Sequence, residues 1–148
     1  MNNDSLDARS LDPIYTPLRL CYGLVPIAAG ADKFFNLLTD WTKYLPQTVT
    51  QVVPLSPHAF MMIVGVVEIV AGLAVLTVLP RLGAYIVALW LVLIAGAVTL
   101  AGFYDVAVRD LVMALGAFTL GSLAALRGEP LLPGTVGPIH ATVASNHG

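Results

Sequence analysis

One acidic residue lies near the middle of the most apolar stretch of the sequence, MMIVGVVEIVAGLAVL, which runs from Met61 to Leu76. A charge at the centre of a bilayer costs about 2.5–3.5 kcal/mol on insertion scales. A carboxylate escapes that cost by pairing with a base or by binding a proton. On a helix, Gly65 and Gly72 share the face of Glu68, and small residues let a neighbouring helix approach closely. We therefore expect Glu68 to face other helices and not lipid.

Three basic residues are candidate partners for this acid. Arg19 and Lys33 share one stripe of the predicted first helix, and Arg109 lies in the predicted fourth. At 1.5 Å per residue, Arg19 differs from Glu68 in depth by roughly 12 Å, and the other two bases by roughly 9 Å. The sequence does not choose among them, and both a structural clamp and a ligand or proton site fit the pattern. The predicted buried polar cluster, which includes two tyrosines on inward-facing rows, comprises Glu68, Arg19, Tyr22, Lys33, Tyr85 and Arg109.

The sequence offers few residues that could bind a cofactor. Haem held by two histidines inside the bilayer needs both at depth, whereas His58 begins the predicted second helix and His140 and His147 lie in the tail. Cys21 has no second thiol to pair with and is expected to be a small buried residue. No metal site is predicted. A quinone or another amphiphile remains a candidate ligand. Such a molecule needs an apolar slot with a few convergent polar groups, which the predicted cluster could supply.

The composition says which solvent surrounds these residues. Hydrophobic residues make up 57% of the 148-residue chain and charged residues only 11%. Soluble domains carry about 25% charged residues, so most of this surface must face lipid. The net charge of −2 and the lack of a basic cluster exclude nucleic acid as a partner. The polar, acidic N-terminus lacks the basic start and apolar core of a secretory signal, so we expect it to remain as a short tail.

Four apolar segments are long enough to cross a bilayer as helices. They are predicted at residues of about 15–38, 57–79, 81–102 and 105–126, between a polar tail at 1–12 and a flexible tail at 127–148. The connecting segment at about 39–55 is too polar to span and carries an apolar stripe that includes Trp41 and Leu45. That pattern predicts a short interfacial helix anchored by Trp41 and Tyr44, with an ordinary polar loop as the alternative.

These elements predict an all-α fold, a membrane-embedded antiparallel four-helix bundle with a short interfacial helix between helices one and two. Four crossings leave both termini on one side of the membrane. Arg9, Arg19, Arg81 and Arg127 share that side, and Lys33, Lys43 and Arg109 share the other. Outside the helix ends, where Arg19, Lys33 and Arg109 lie, the bias is three against one. Positive residues favour the cytoplasmic side. We therefore expect a multi-pass protein of the bacterial inner membrane with both termini in the cytoplasm.

Two motifs resemble those of the DoxX-like family of small four-helix membrane proteins. LCYGLVPIAAGADKF ends helix one with Gly30 and Lys33 spaced as in that family, and GVVEIVAGLAVL in helix two carries Gly65, Glu68 and Gly72 in the family's Gly-x-x-Glu-x-x-x-Gly pattern. The resemblance covers roughly residues 15–126. The family takes its name from a subunit of a thiosulfate:quinone oxidoreductase, and other members are implied to act as membrane partners of redox or detoxifying enzymes.

The resemblance implies an accessory or anchor subunit of a membrane redox system linked to quinone, with a membrane or cytoplasmic redox protein as its partner. The alternative is a small carrier or binding protein for a hydrophobic or weakly acidic molecule that uses the buried Glu68. The resemblance assigns no catalytic residue. A homo-oligomer is compatible with the sequence, and whether the chain catalyses a reaction stays open.

Overall fold

The computed structural model describes residues 8–77 and 79–132, and all regular structure in this part of the chain is helical. The α-helices are α1 (Asp12–Phe35), α2 (Gln47–Val52), α3 (Pro57–Leu76), α4 (Pro80–Leu100) and α5 (Tyr104–Leu126), with 3₁₀ turns at Ala8–Leu11 and Trp41–Tyr44. The predicted helices one to four correspond to α1, α3, α4 and α5. Most of the two predicted tails, residues 1–7 and 133–148, lies outside the described residues.

The first helix begins and ends about a turn earlier than the predicted 15–38. It begins at Asp12, with Pro13 in the first turn, where a proline leaves no intrahelical hydrogen bond unmade. It ends because Asn36 adopts the left-handed conformation at φ 51°. The helix that follows the interfacial segment begins sharply, since the Ser56 hydroxyl accepts a hydrogen bond from the backbone N–H of Ala59 ahead of a proline.

The interfacial segment is not the single helix that the stripe predicts. It divides into the 3₁₀ turn Trp41–Tyr44 and the short helix α2, separated by Leu45 and Pro46. The proline has no N–H to continue the first turn, and its extended backbone starts a new one. Leu38, which the spacing places in the same apolar stripe three residues before Trp41, is 74% exposed and does not join a shared face.

Helices α1 and α3 run antiparallel with almost no separation at two glycines. A Cβ on Gly30 would lie 2.5 Å from the carbonyl oxygen of Gly65, and a Cβ on Gly65 would lie 2.5 Å from that of Gly30. No real Cβ tolerates that distance, so the backbones touch directly. Further along the pair, Gly72 faces the Gly23 carbonyl in the same register. The glycines that flank Glu68 therefore serve the close approach of α1.

Helices α4 and α5 pack through a different kind of surface, lined with small apolar side chains. The buried residues along this pair are Ala84, Val87, Ala88, Ala95, Val98, Ala107, Ala114, Ala117, Leu120 and Ala124. On the third predicted helix the spacing predicts one inward-facing row, formed by Tyr85, Leu89, Val92, Gly96 and Thr99. That prediction is wrong for Leu89 and Val92, which are exposed, because α4 buries its alanine and valine face instead. Cys21 is also exposed, on the outer face of α1, contrary to the expectation that it is buried.

Three of the described helices, α3, α4 and α5, are long and apolar enough to cross a membrane. Each buries only about a third of its most apolar stretch inside the fold. Large apolar side chains such as Ile63, Val70, Leu93 and Val112 point outward, which suits a lipid surrounding. The chain is therefore a membrane protein. Helix α1 is of similar length and packs along α3, but it carries more charge.

Candidate functional site

The Lys33 ammonium contacts the Glu68 carboxylate inside the α1–α3 pair, with 2.5 Å between Nζ and Oε2. Lys33 is 4% exposed and Glu68 is 7% exposed. Lys33 stands one turn beyond the Gly30–Gly65 contact, so its Cβ also lies close to the Gly65 position. Of the three bases predicted as partners, the structure brings Lys33 to the acid.

The direction of side chains on a helix explains this choice. Every Cα–Cβ bond leans toward the N-terminus of its helix. In the antiparallel α1–α3 register Lys33 lies opposite Met62, about 9 Å in depth from Glu68. Lys33 leans along α1 toward the level of Glu68, while Glu68 leans along α3 toward the level of Lys33. Two long side chains that lean toward each other close the gap.

Arg19 leans the opposite way and does not join the cluster, which corrects the sequence-based prediction. Its Nε donates to the carbonyl oxygen of Val75 at 3.0 Å, and its Nη2 donates to those of Leu76 at 2.9 Å and Thr77 at 3.1 Å. These carbonyls end α3 and lack intrahelical donors. The arginine therefore caps the C-terminus of α3, where its positive charge also suits the helix dipole.

Arg109 is likewise outside the cluster. Its side chain is 69% exposed and pairs with Asp105, one turn earlier on α5, at 3.1 Å. Helix α5 runs parallel to α3, so Arg109 leans toward the start of its own helix and away from the depth of Glu68. Lys33 and Arg109 differ from Glu68 in depth by the same amount, so depth alone does not distinguish them. The direction in which each helix runs does.

Tyr22 and Tyr85 belong to helix packing and not to the polar cluster. The Tyr22 hydroxyl lies against Gly116, where a side chain would collide with it. The Tyr85 ring covers Gly121 in the same way and contacts the Phe118 ring at 5.6 Å between centroids. Each tyrosine therefore fills the space over a glycine of α5. The glycines of α5 could have predicted these contacts from the sequence, but only if the neighbours of each helix had been known.

Asp32 and Trp41 cover the Lys33 end of the ion pair, a feature that the sequence did not reveal. The Asp32 carboxylate accepts from the backbone N–H groups of Leu37 and Leu38 and, at 2.8 Å, from the indole N–H of Trp41. These bonds fold the chain back after α1. The Trp41 ring then lies over the Lys33 ammonium, 3.8 Å from the ring centroid, in cation–π geometry.

The predicted interfacial anchors therefore also contact the helices. Tyr44 meets the Phe103 ring edge-on, with 4.9 Å between centroids, and closes the end of α4. Asp40 begins the 3₁₀ turn that carries both aromatic residues, since its carboxylate accepts from the Thr42 hydroxyl and backbone N–H. Those hydrogen bonds hold the pKa of Asp40 below its usual value. The position of Trp41 and Tyr44 at the membrane surface stays a prediction.

Two further polar groups approach the ion pair from α4 and α5. The indole N–H of Trp90 faces the Glu68 carboxylate, and Asp110 interacts electrostatically with Arg109 and, less strongly, with Lys33. The Asp110 Oδ2 is shielded from solvent and has no hydrogen-bond partner among the described residues. The sequence, with Asp105 and Asp110 on either side of Arg109, predicts residues that cap helix four at the membrane surface. The register of α5 turns Asp110 inward instead.

The opposite end of the molecule holds a second polar group. Arg127 pairs with Asp12 and stacks over the Tyr15 ring, 4.4 Å from its centroid. The Asp12 carboxylate raises the pKa of Arg127. The Tyr15 hydroxyl donates to Glu129 at 2.9 Å. These bonds join the start of α1 to the end of α5, so the group ties the ends of the chain's helical part together.

No cluster of three metal-ligating residues occurs in residues 8–77 and 79–132.

Comparison with known proteins fits this arrangement. The DoxX family model matches residues 14–103, well over half of the chain. The chain belongs to the DoxX family. The match includes α1 from its third residue onward, both parts of the connecting segment, α3 and α4, and therefore both members of the Lys33–Glu68 pair. No curated protein and no solved structure matches the chain.

Proposed function

We propose that this DoxX-family protein is an accessory or anchor subunit of a membrane redox system linked to quinone. The observation that carries the proposal is the use of the charged side chains within the helices. Lys33 and Glu68 bind each other, Arg19 caps α3, and Asp32 holds the loop after α1. The charges thus hold a rigid membrane body together, as an anchor requires.

The same burial argues against the carrier alternative. An organic acid that binds at Glu68 would have to displace Lys33, its partner at 2.5 Å, and the Trp41 ring above it. Removing one member of a buried pair costs about 3–5 kcal/mol. A carrier that meets this cost in every cycle needs a strong compensating interaction, which favours the anchor.

The proposed subunit crosses the membrane four times, with α1 as the additional crossing helix. At 24 residues α1 is about 36 Å long at 1.5 Å per residue, enough to span the hydrocarbon core. Its outer face carries exposed Leu20, Leu24 and Val25. Antiparallel packing on α3 supports a crossing, and we place both termini in the cytoplasm of a bacterium, at the inner membrane.

Labelling of single cysteines at residues 5 and 145, in a Cys21→Ala background, tests this topology. We expect a membrane-impermeant reagent to reach both positions from the cytoplasmic side only. Labelling of the two positions from opposite sides would contradict an even number of crossings.

A groove between α4 and α5 suits the head or tail of a quinone. It has a volume of about 430 Å³. Its walls are apolar apart from the hydroxyl of Tyr85, and the lining residues are Tyr85, Ala88, Leu89, Val92, Leu111, Ala114, Leu115 and Phe118. Ligand sites in proteins combine such apolar walls with a few polar groups. We assign the quinone to this groove.

Photo-crosslinking with a photoreactive quinone analogue, on the protein in nanodiscs, tests the assignment. Val92→Trp fills the groove, and we expect it to reduce labelling of groove residues strongly. Leu93→Trp is the matched control. The Leu93 side chain follows Val92 in the sequence and also points outward, but it does not line the groove. Equal labelling of both variants and of the wild type would mean that the analogue partitions into lipid only.

Purification in a mild detergent followed by mass spectrometry tests the role as a subunit. We expect a protein that carries a flavin, haem or iron–sulfur cofactor to copurify at a fixed ratio. Glu68→Leu removes the ion pair between α1 and α3, and we expect it to reduce the recovery of the copurifying protein. Transport of a weak acid by the pure protein in liposomes, with no partner recovered, would favour the carrier instead.

A further inference from the structure

A polar cavity lies at the end of the molecule where α1 begins and where α3 and α5 end. Its volume is about 400 Å³, and its lining includes Asp12, Thr16, Arg19, Leu76 and Arg127. It shares no lining residue with the groove between α4 and α5. The cavity is therefore separate from the position proposed for a quinone.

Arg19 keeps two donors for a further ligand in this cavity. Its Nε and Nη2 donate to the carbonyl oxygens that end α3. Its Nη1 carries two more N–H groups, for which the described residues supply no acceptor. The guanidinium is planar, so the three bonds to α3 also fix the direction of Nη1. Such a fork of N–H groups suits the oxygens of a phosphate.

Thr16 adds a hydroxyl group to the same side of the cavity. It lies three residues before Arg19, so both side chains share one face of α1. Thr16 is exposed, and its hydroxyl makes no hydrogen bond within residues 8–77 and 79–132. A hydroxyl can donate to a phosphate oxygen at no cost to the helix. Two side chains with donors for an anion therefore line the cavity.

The charges around the cavity leave one positive charge in excess. Arg127 pairs with Asp12, so these two lining charges balance each other. Glu129 also approaches Arg127, at 3.6 Å between Oε1 and Nε. Arg81 offsets that second acid, since its Nη1 donates to the Glu129 carbonyl oxygen at 3.3 Å. The charge of Arg19 is the surplus, and it favours an anionic ligand.

The length of α3 sets the depth of the cavity in the membrane. At 1.5 Å per residue its 20 residues span about 30 Å, the thickness of the hydrocarbon core. Leu76, the last residue of α3, lines the cavity, which therefore lies where hydrocarbon meets the lipid headgroups. Leu20 lines it as well and is 49% exposed on the outer face of α1. The cavity thus has an apolar wall beside the lipid.

We propose that this cavity binds the phosphate headgroup of an anionic phospholipid. The Nη1 of Arg19 and the hydroxyl of Thr16 donate to the phosphate oxygens, and Leu20 and Leu76 contact the glycerol end of the acyl chains. A free phosphate ion would use the same donors but not the apolar wall, which favours the lipid. This proposal depends neither on the redox role nor on quinone binding.

Native mass spectrometry of the full-length protein, released from detergent, tests the proposal with phosphatidylglycerol and phosphatidylcholine as probes. We expect the wild type to bind one phosphatidylglycerol about fivefold more tightly than phosphatidylcholine, the effect of one surplus charge near the membrane surface. Inorganic phosphate at the same concentration should not displace the lipid. Displacement would assign the cavity to a soluble phosphate and overturn the lipid. Equal affinity for the two lipids would overturn the proposal as well.

A carboxylate placed in the cavity should remove the preference. Thr16→Glu puts a negative charge beside Arg19, and we expect it to bind the two lipids equally. Ile14→Glu is the matched control, because Ile14 lies two residues earlier on α1, is 56% exposed and does not line the cavity. It should keep the preference of the wild type. An equal loss in both variants would show a general effect of charge and overturn the proposed site.

Asp12→Asn should act in the opposite direction. It removes the negative charge that lines the cavity, and we expect phosphatidylglycerol to bind about fivefold more tightly than in the wild type. A gain of affinity does not arise from misfolding, and thermal unfolding shows whether each variant is folded. Unchanged or weaker binding by folded Asp12→Asn would contradict a phosphate in this cavity.

Discussion

The two halves of the molecule pack by opposite means. Helices α1 and α3 meet backbone to backbone at Gly30 and Gly65 and enclose a charged pair. Helices α4 and α5 meet through alanine and valine side chains with Leu120 at the centre, and the charged pair is absent from their seam in the described residues. Lipid gives no hydrophobic driving force for either contact.

The difference shows what a charge inside a membrane helix pair requires. Lys33 and Glu68 have long side chains, and they stay together only because the glycines bring the two backbones close. Trp41 then covers the ammonium, and Asp32 holds Trp41 in place. The α4–α5 half needs none of these supports, since its contacts are apolar and tolerate small shifts. We therefore expect the α1–α3 half to be the more sensitive to substitution.

The largest expected effect is the loss of Glu68 alone. Glu68→Leu leaves the Lys33 ammonium buried without an acceptor, which is expected to lower the free energy of unfolding by about 3–5 kcal/mol. The double variant Lys33→Leu with Glu68→Leu should recover most of this loss, because an apolar pair carries no desolvation cost. Denaturant unfolding in detergent measures both. A single variant as stable as the wild type would show that the pair contributes nothing to packing.

Glycine substitutions test the contact between backbones. Gly30→Ala places a Cβ 2.5 Å from the Gly65 carbonyl oxygen and is expected to cost about 1–3 kcal/mol through forced separation of the helices. Gly96→Ala is the control, since no atom lies within 4 Å of the new Cβ. That change should stabilise α4 by up to about 1 kcal/mol. Equal stability of the two variants, measured by thermal unfolding, would contradict the close contact.

The two arginines outside the cluster should differ in the same way. Arg19→Gln removes charged hydrogen bonds to the carbonyls that end α3, at an expected cost of about 1.5–3 kcal/mol. Arg109→Gln removes an exposed pair within one helix and should cost below about 0.5 kcal/mol. Unfolding curves of both variants give the comparison. Arg109→Gln as the more damaging change would mean that Arg109 also serves the buried site.

The smallest expected effect is a change in the exposure of Trp41, whose ring lies over the Lys33 ammonium. In a Trp90→Phe background, where Trp41 is the remaining tryptophan, Asp32→Asn should increase quenching of Trp41 fluorescence by aqueous iodide, because the indole loses its acceptor. Asp40→Asn is the control, since the Asp40 carboxylate accepts from Thr42 and not from the Trp41 indole. Full quenching before any substitution would place Trp41 in water and contradict both the cover and the interfacial prediction.

Composition, helical periodicity and short motifs were enough to predict the surrounding solvent, the class of fold and the family. A chain with 11% charge cannot hide its apolar surface from water, so long apolar helices in lipid followed from composition alone. The period of small residues around Glu68 also identified the face that meets another helix, since residues three and four apart share a face in any helix. Those are local properties, readable without knowing which helices are neighbours.

Which base meets the acid depends on how the helices pack. Lys33 and Arg109 have equal depth gaps to Glu68, and the direction of each helix and its register decided between them, because side chains lean toward the start of their own helix. The same geometry turned Arg19 to the end of α3. The loop that carries Trp41 over the ammonium depends on the hydrogen bonds of Asp32, which no periodic pattern encodes.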